Sequence, residues 1–217
     1  MSDPVFTIDI YSDVVCPWCY VGKRRLEQAL ALVGRSAQAA WRPFQLNPTM
    51  PKEGMERTAY LEAKFGSLDA FRQMEEHVLA AGAESHITFA FEKIARTPNT
   101  FSAHRLIWFA AQEGRQDAVV DSLFQGYFEE GVDIGSLSAL AQLAQRAGLD
   151  AEQFLQSEGG TAEVKAEEAA GHRLGIRGVP YFVLNGTYAL SGAQPPDRFV
   201  AAFRRTEMDQ VARKAGV

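Results

Sequence analysis

Two thiols separated by two residues, in Cys16-Pro17-Trp18-Cys19, are the groups best placed to do chemistry in this sequence, and they are its only cysteines. Apolar alternation over residues 5–10 predicts a strand ahead of them, and a helical pattern over 21–32 follows. The pair therefore falls at the first turn of a helix that leaves a strand. Unpaired backbone N–H groups and the positive end of the helix dipole stabilise negative charge at such a point. Cysteines in this setting ionise at about pH 3.5–7.5, against about 8.5 for a free thiol. Pro17 suits the first helical turn, where an N–H has no partner to lose. Cys19 lies one turn further on, close enough to close a small disulfide ring with Cys16. The arrangement predicts a thiol–disulfide redox centre.

Two other uses of a CxxC pair fit less well. A structural zinc site takes four protein ligands. No second cysteine pair exists here, and His77, His86, His104 and His172 are scattered without HxxxH spacing. A purely structural disulfide across two residues would close almost no loop and so remove little chain entropy. No metal ligand set is expected.

Composition narrows the setting. The chain has 217 residues, 47% hydrophobic and 23% charged, as in an ordinary globular protein. Its 22 Lys and Arg against 27 Asp and Glu leave a net charge of −5, with no basic tract, so a nucleic-acid partner is not expected. Met1-Ser2-Asp3-Pro4 has no positive, apolar leader pattern, and no stretch approaches the ~20 apolar residues of a membrane span. The expectation is a cytoplasmic protein without membrane association, where a disulfide serves catalysis or sensing.

The elements that must hold the thiols can be read outward from them. Gly34 is a helix stop and residues 40–44 a second strand, giving a βαβ unit with parallel strands. The proline-punctuated run from Gln45 to Pro51 marks a boundary. From 57 to 160 the pattern is a succession of helices with glycine stops at Gly66, Gly114, Gly131 and Gly148. One of these has Leu68, Phe71, Met74, Val78 and Leu79 on a single stripe. Residues 87–91 read as an irregular connector despite their alternation. A helix over 161–174 follows, then apolar residues to Leu184, Asn185-Gly186 as a hairpin turn, a partner strand over 187–191 and a helix over 197–212. The fold class is thus α/β. A thioredoxin-like domain from 1–50 and 161–217 is interrupted by an all-helical insertion over 51–160.

Val179-Pro180 completes the expected site. A proline just ahead of a strand-like run cannot donate to a sheet ladder. A simple loop break explains it; so does a cis X–Pro turn that exposes the Val179 backbone beside Cys16. In the second case an extended substrate segment could pair with Val179 as an added strand.

Several runs together carry a resemblance over essentially the whole chain. They are Ser12-Asp13-Val14-Val15-Cys16-Pro17-Trp18-Cys19-Tyr20-Val21-Gly22, Trp41-Arg42-Pro43-Phe44, Pro98-Asn99-Thr100 with Ala103-His104-Arg105, Gly178-Val179-Pro180, and Ser191-Gly192-Ala193-Gln194. The sequence resembles the DsbA-type thioredoxin superfamily, and within it the FrnE-like dithiol–disulfide oxidoreductases. The Asn99-Thr100 and His104-Arg105 block is shared with 2-hydroxychromene-2-carboxylate isomerases and kappa-class glutathione transferases. Those relatives use glutathione and have serine where this chain has Cys16.

The expected mechanism makes Cys16 the nucleophile of a mixed disulfide and Cys19 the thiol that resolves it. Pro17, Trp18 and Pro180 would tune the pair. Val179, Asn99 and His104 are candidate substrate-binding residues. His104 could face the thiols as a cation or simply pack, and Arg105 and Asn99 could equally cap or pair. No tightly bound cofactor is expected, glutathione being a candidate co-substrate. Partners would be protein or small-molecule thiols and disulfides, and the apolar helix faces would suit a homodimer. The rival readings are a glutathione-dependent isomerase or transferase, and a redox-switched binding or chaperone module.

Overall fold

The computed structural model describes residues 6–214, with the side chains of Leu68, Ala70 and 210–214 outside the description. The leader reading of Met1 to Pro4 and the strand reading of Val5 lie outside the described residues, as does the Leu68 side chain of the apolar stripe. Strand β1 (Phe6–Ser12) is central in a four-stranded sheet of order β2-β1-β5-β6. It pairs in parallel with β2 (Ala37–Pro43) and antiparallel with β5 (Tyr181–Leu184), which continues antiparallel to β6 (Tyr188–Ser191). Ile8 and Ile10 point into the main core while Thr7 on the other face is exposed, the two-residue period of a strand.

Helix α1 (Pro17–Val33) connects β1 to β2 and ends on Gly34, whose φ of 62° is the left-handed cap. Strand β2 starts three residues earlier than expected. Ala37, Gln38 and Ala39 lack the branched or aromatic side chains that announce a strand, but pairing along the full length of β1 recruits them. In the β5–β6 hairpin Asn185 and Gly186 both have positive φ, 48° and 66°, as the turn requires.

Between the two halves of the sheet run α2 (Arg57–Phe65), α3 (Leu68–Glu84), α4 (Phe101–Gln112), α5 (Gln116–Phe128), α6 (Leu137–Arg146), α7 (Glu152–Gln156) and α8 (Thr161–Arg173), and α9 (Pro196–Lys214) ends the chain. Residues 87–90 are irregular and lead into a single 3₁₀ turn at Phe91–Lys93. A two-residue ladder, β3 (Met55–Glu56) with β4 (Arg96–Thr97), was not anticipated; it is too short to leave a periodic signal.

One continuous core joins β1 and α1 to α4, α5 and α6. Tyr20 anchors it. Its ring stacks on Phe124 at 5.0 Å and meets Phe89 edge-on at 6.0 Å, fixing α1 against α5 and the connector. A smaller cluster of Tyr11, Phe44 and Ile176 covers the other face of the sheet.

Candidate functional site

The turn after β1 brings Cys16 to the N-cap of α1, with extended φ and ψ of −93° and 111°. Its N–H donates to Asp13 O at 3.0 Å, and its own carbonyl accepts from Cys19 N–H at 3.0 Å. Pro17 occupies the start of the helix, and no acidic side chain sits in the first turn to neutralise the positive end of the dipole. The Cys16 thiol reaches Val179 O at 3.8 Å. The Val179-Pro180 peptide is cis, so this carbonyl belongs to the turn that starts β5.

Gly22 lets the two halves meet. A Cβ there would stand 3.1 Å from Pro180 Cγ and 3.1 Å from Phe182 Cζ, tighter than ordinary van der Waals contact. Pro180 O then accepts from Gly192 N–H at 2.8 Å, and Arg25 of α1 donates to Ala193 O at 2.8 Å. The Ser191–Gln194 turn is thereby tied to both the proline turn and the thiol helix.

Cys19 sits behind Cys16 and is 1% exposed. Burial pushes its thiol well above the usual cysteine range, and the neighbouring Cys16 pushes it the same way. The Ser12 hydroxyl and the Asp13 backbone oppose that rise without cancelling it. The two cysteines are free thiols, and Pro17 and Trp18 between them are half-buried. Chemically, the site offers one thiol at a helix N-terminus beside a backbone acceptor, and a second, desolvated thiol one turn behind it.

The other expected residues lie further out. Asn99 uses both ends of its amide structurally, donating to Met50 O at 2.7 Å and accepting from Phe101 N–H at 2.9 Å at the start of α4. Arg105 donates to Gly159 O at 2.8 Å and Ser157 O at 2.5 Å, and its guanidinium lies over the Phe154 ring, tying α4 to the α7–α8 connection. His104 is buried, and its Nε2 meets Asp13 Oδ1 at 3.4 Å, so its observed partner is the turn carrying the thiols. His77 and His86 are exposed, and His172 tilts against Phe44 with ring centroids 5.0 Å apart.

Sequence reasoning missed the roles of two buried charges. Asp13 is 0% exposed, and its Oδ2 accepts Leu46 N–H at 2.7 Å, so the carboxylate pins the thiol turn to the loop after β2. Its signal was a carboxylate three residues ahead of a reactive cysteine. Lys23, one turn after Cys19, is 2% exposed. Burial pulls its ammonium down, but Asp117, Glu27 and Asp121 more than offset that and leave it raised. Its signal was a lysine on the apolar stripe of α1. Among the described residues, no group of three or more His, Cys, Asp or Glu side chains is placed to hold a metal ion.

Comparison with known proteins agrees with this geometry. A probable DsbA oxidoreductase from Streptomyces coelicolor is 34% identical, with a TM-score of 0.84 over 92% of this chain and 89% of that one. The uncharacterized protein YwbO of Bacillus subtilis is 29% identical, covering 90% of this chain and 94% of its own. The cytosolic disulfide reductase DsbM from Pseudomonas aeruginosa, solved with glutathione, shares the fold. Its identity is 17% and its TM-score 0.63, over 94% of this chain and 99% of that one. The profile of the DSBA-like thioredoxin domain matches residues 7–204, and the chain belongs to that family.

Proposed function

We propose that this protein is a dithiol–disulfide oxidoreductase of the FrnE-like kind, exchanging disulfides through Cys16 and Cys19. The observation that carries the reading is the asymmetry of the pair. Cys16 caps α1 with its sulfur 3.8 Å from Val179 O, whereas Cys19 lies behind it, desolvated and one turn in. Cys16 attacks a substrate disulfide, or is attacked when oxidised, because the helix N-terminus stabilises the charge on its sulfur. Cys19 then attacks Cys16, and the substrate sulfur leaves as a thiol. Pro17 and Trp18 limit access to the pair. Val179 offers backbone groups to an extended substrate segment next to Pro180.

Glutathione is a fitting co-substrate, since the fold neighbour DsbM was solved with it. A cytosolic setting agrees with that neighbour's name, and among the described residues no helix is long and apolar enough to cross a membrane. Thiols and disulfides, of proteins or small molecules, are the partners this chemistry takes. The division into a thioredoxin-like unit (1–50 and 161–217) and a helical insertion (51–160) is part of the reading. It is supported by the four-stranded sheet, whose strands all come from the flanking segments. A glutathione-dependent isomerase or transferase would have no use for Cys19.

Single replacements test the proposal. With a disulfide-bonded peptide as substrate, Cys16→Ser is expected to abolish exchange, and Cys19→Ser to accumulate a mixed disulfide on Cys16 visible by mass. Normal turnover by Cys19→Ser would contradict the dithiol mechanism.

A further inference from the structure

The two sides of the redox pair face different proton environments. A substrate bonded to Cys16 covers the mouth of the site, yet Cys19 must lose a proton whenever the internal disulfide forms and regain one whenever it opens. Behind Cys19 stand Ser12, whose hydroxyl lies beside the thiol, and Asp13, whose backbone contacts it. Asp13 Oδ1 and His104 Nε2 lie 3.4 Å apart, both buried, and neither has another hydrogen-bond partner among the described residues. Buried polar atoms left in this state are costly unless a proton or a water serves them.

His104 also lines a cavity of about 90 Å³ bounded by Trp41, Arg42, Trp108, Gln116 and Glu167, with room for a few water molecules. Arg42 and Glu167, with side chains 37% and 31% exposed, take its rim to solvent. This cavity lies between β2, α4 and α8, a different place from the Val179-Pro180 turn.

We propose that Asp13 and His104 form a rear proton outlet for Cys19, joining the buried thiol to this cavity while substrate occupies the front. The inference rests on the dithiol mechanism proposed above. In the resolving step the Cys19 sulfur bonds to the Cys16 sulfur and the bond from Cys16 to the substrate sulfur breaks. The electron pair leaves on the substrate sulfur, which takes a proton from solvent. The proton given up by Cys19 passes by way of Asp13 to His104 and leaves through the cavity. Ring opening runs the same steps in reverse. The charged and titratable groups around His104 are Asp13 on the thiol turn, Arg42 on β2, Glu167 on α8, and Tyr127 on α5, whose phenol feels the Asp13 charge. His104 is a positioning and proton-holding residue; it touches no substrate.

The test follows the resolving step by acid quench and mass between pH 6 and 9. Wild-type protein should resolve at a rate nearly independent of pH. In His104→Gln, resolution should slow at neutral pH and climb by about tenfold per pH unit, as hydroxide replaces the internal acceptor. It should slow far more than mixed-disulfide formation does. His104→Ala should recover with added imidazole. An unchanged pH slope in folded His104→Gln, or equal slowing of both steps without imidazole rescue, would overturn the proposal. If neither variant folds, the ¹⁵N histidine spectrum of wild-type protein decides: a His104 proton occupancy identical in dithiol and disulfide forms across this pH range overturns it, and a difference supports it. Failure of the wild type to form any mixed or internal disulfide would instead refute the oxidoreductase reading itself.

Discussion

A sulfur beside a helix N-terminus and a sulfur sealed behind it differ in reactivity even though both are nearly inaccessible, Cys16 at 5% and Cys19 at 1% exposure. The distinction comes from what surrounds each. Cys16 faces a backbone carbonyl at the mouth, and Cys19 faces burial that keeps it protonated. Iodoacetamide at pH 7 should therefore modify Cys16 at least about tenfold faster than Cys19, because the thiolate is the reacting form. Peptide mapping of a time course reads the ratio, and equal rates would remove the basis for assigning the two roles. Cys16, Cys19 and Val179-Pro180 were legible because their chemistry is written in adjacent residues. Asp13 and His104 are 91 positions apart and meet only through packing of α4 beneath the thiol turn. Spacing alone therefore gave His104 no partner, and the reading that it faces the thiols had nothing local to correct it.

Elements announced by their ends were the easiest to read. Gly34 and Gly66 close their helices in left-handed geometry, and Asn185-Gly186 makes the hairpin. What lacked a local signal was missed or shortened: the β3–β4 ladder, formed by two residues on each side, and the alanine-rich start of β2. The contact between α1 and the Pro180 turn is another case, since only Gly22 permits it and a glycine inside a helical pattern reads merely as a weak spot. Gly22→Ala should shift the proline turn by a few tenths of an ångström. The expected loss is about 1–2 kcal/mol of stability from overpacking. Disulfide exchange should slow as Val179 O moves relative to Cys16. Urea unfolding and the exchange assay together check this, and a variant at wild-type stability and rate would show that the contact has slack.

At the scale of the whole molecule, one core runs from the sheet through α1 into α4–α6, so the thiol helix is embedded in packing shared by both segments of the sequence reading. Burial in that core pushes Tyr127 up to about 12 from an ordinary 10.0, with Arg57 and Thr97 only partly opposing it. The unfolded chain ionises this phenol near pH 10, so its contribution to stability is complete below that pH and is lost as pH rises toward 12. The predicted loss is about 2–3 kcal/mol across the window, and Tyr127→Phe should flatten that part of the curve in urea unfolding at pH 8 to 11.5. A slope unaffected by the replacement would place the alkaline sensitivity elsewhere. The central claim, that Cys16 and Cys19 form a reversible redox couple, is tested most directly by equilibrating the protein in graded glutathione buffers, trapping free thiols by alkylation and reading the mass. The account predicts a smooth two-electron conversion between dithiol and internal disulfide. Stable glutathione on Cys16 with no internal disulfide at any ratio would contradict it.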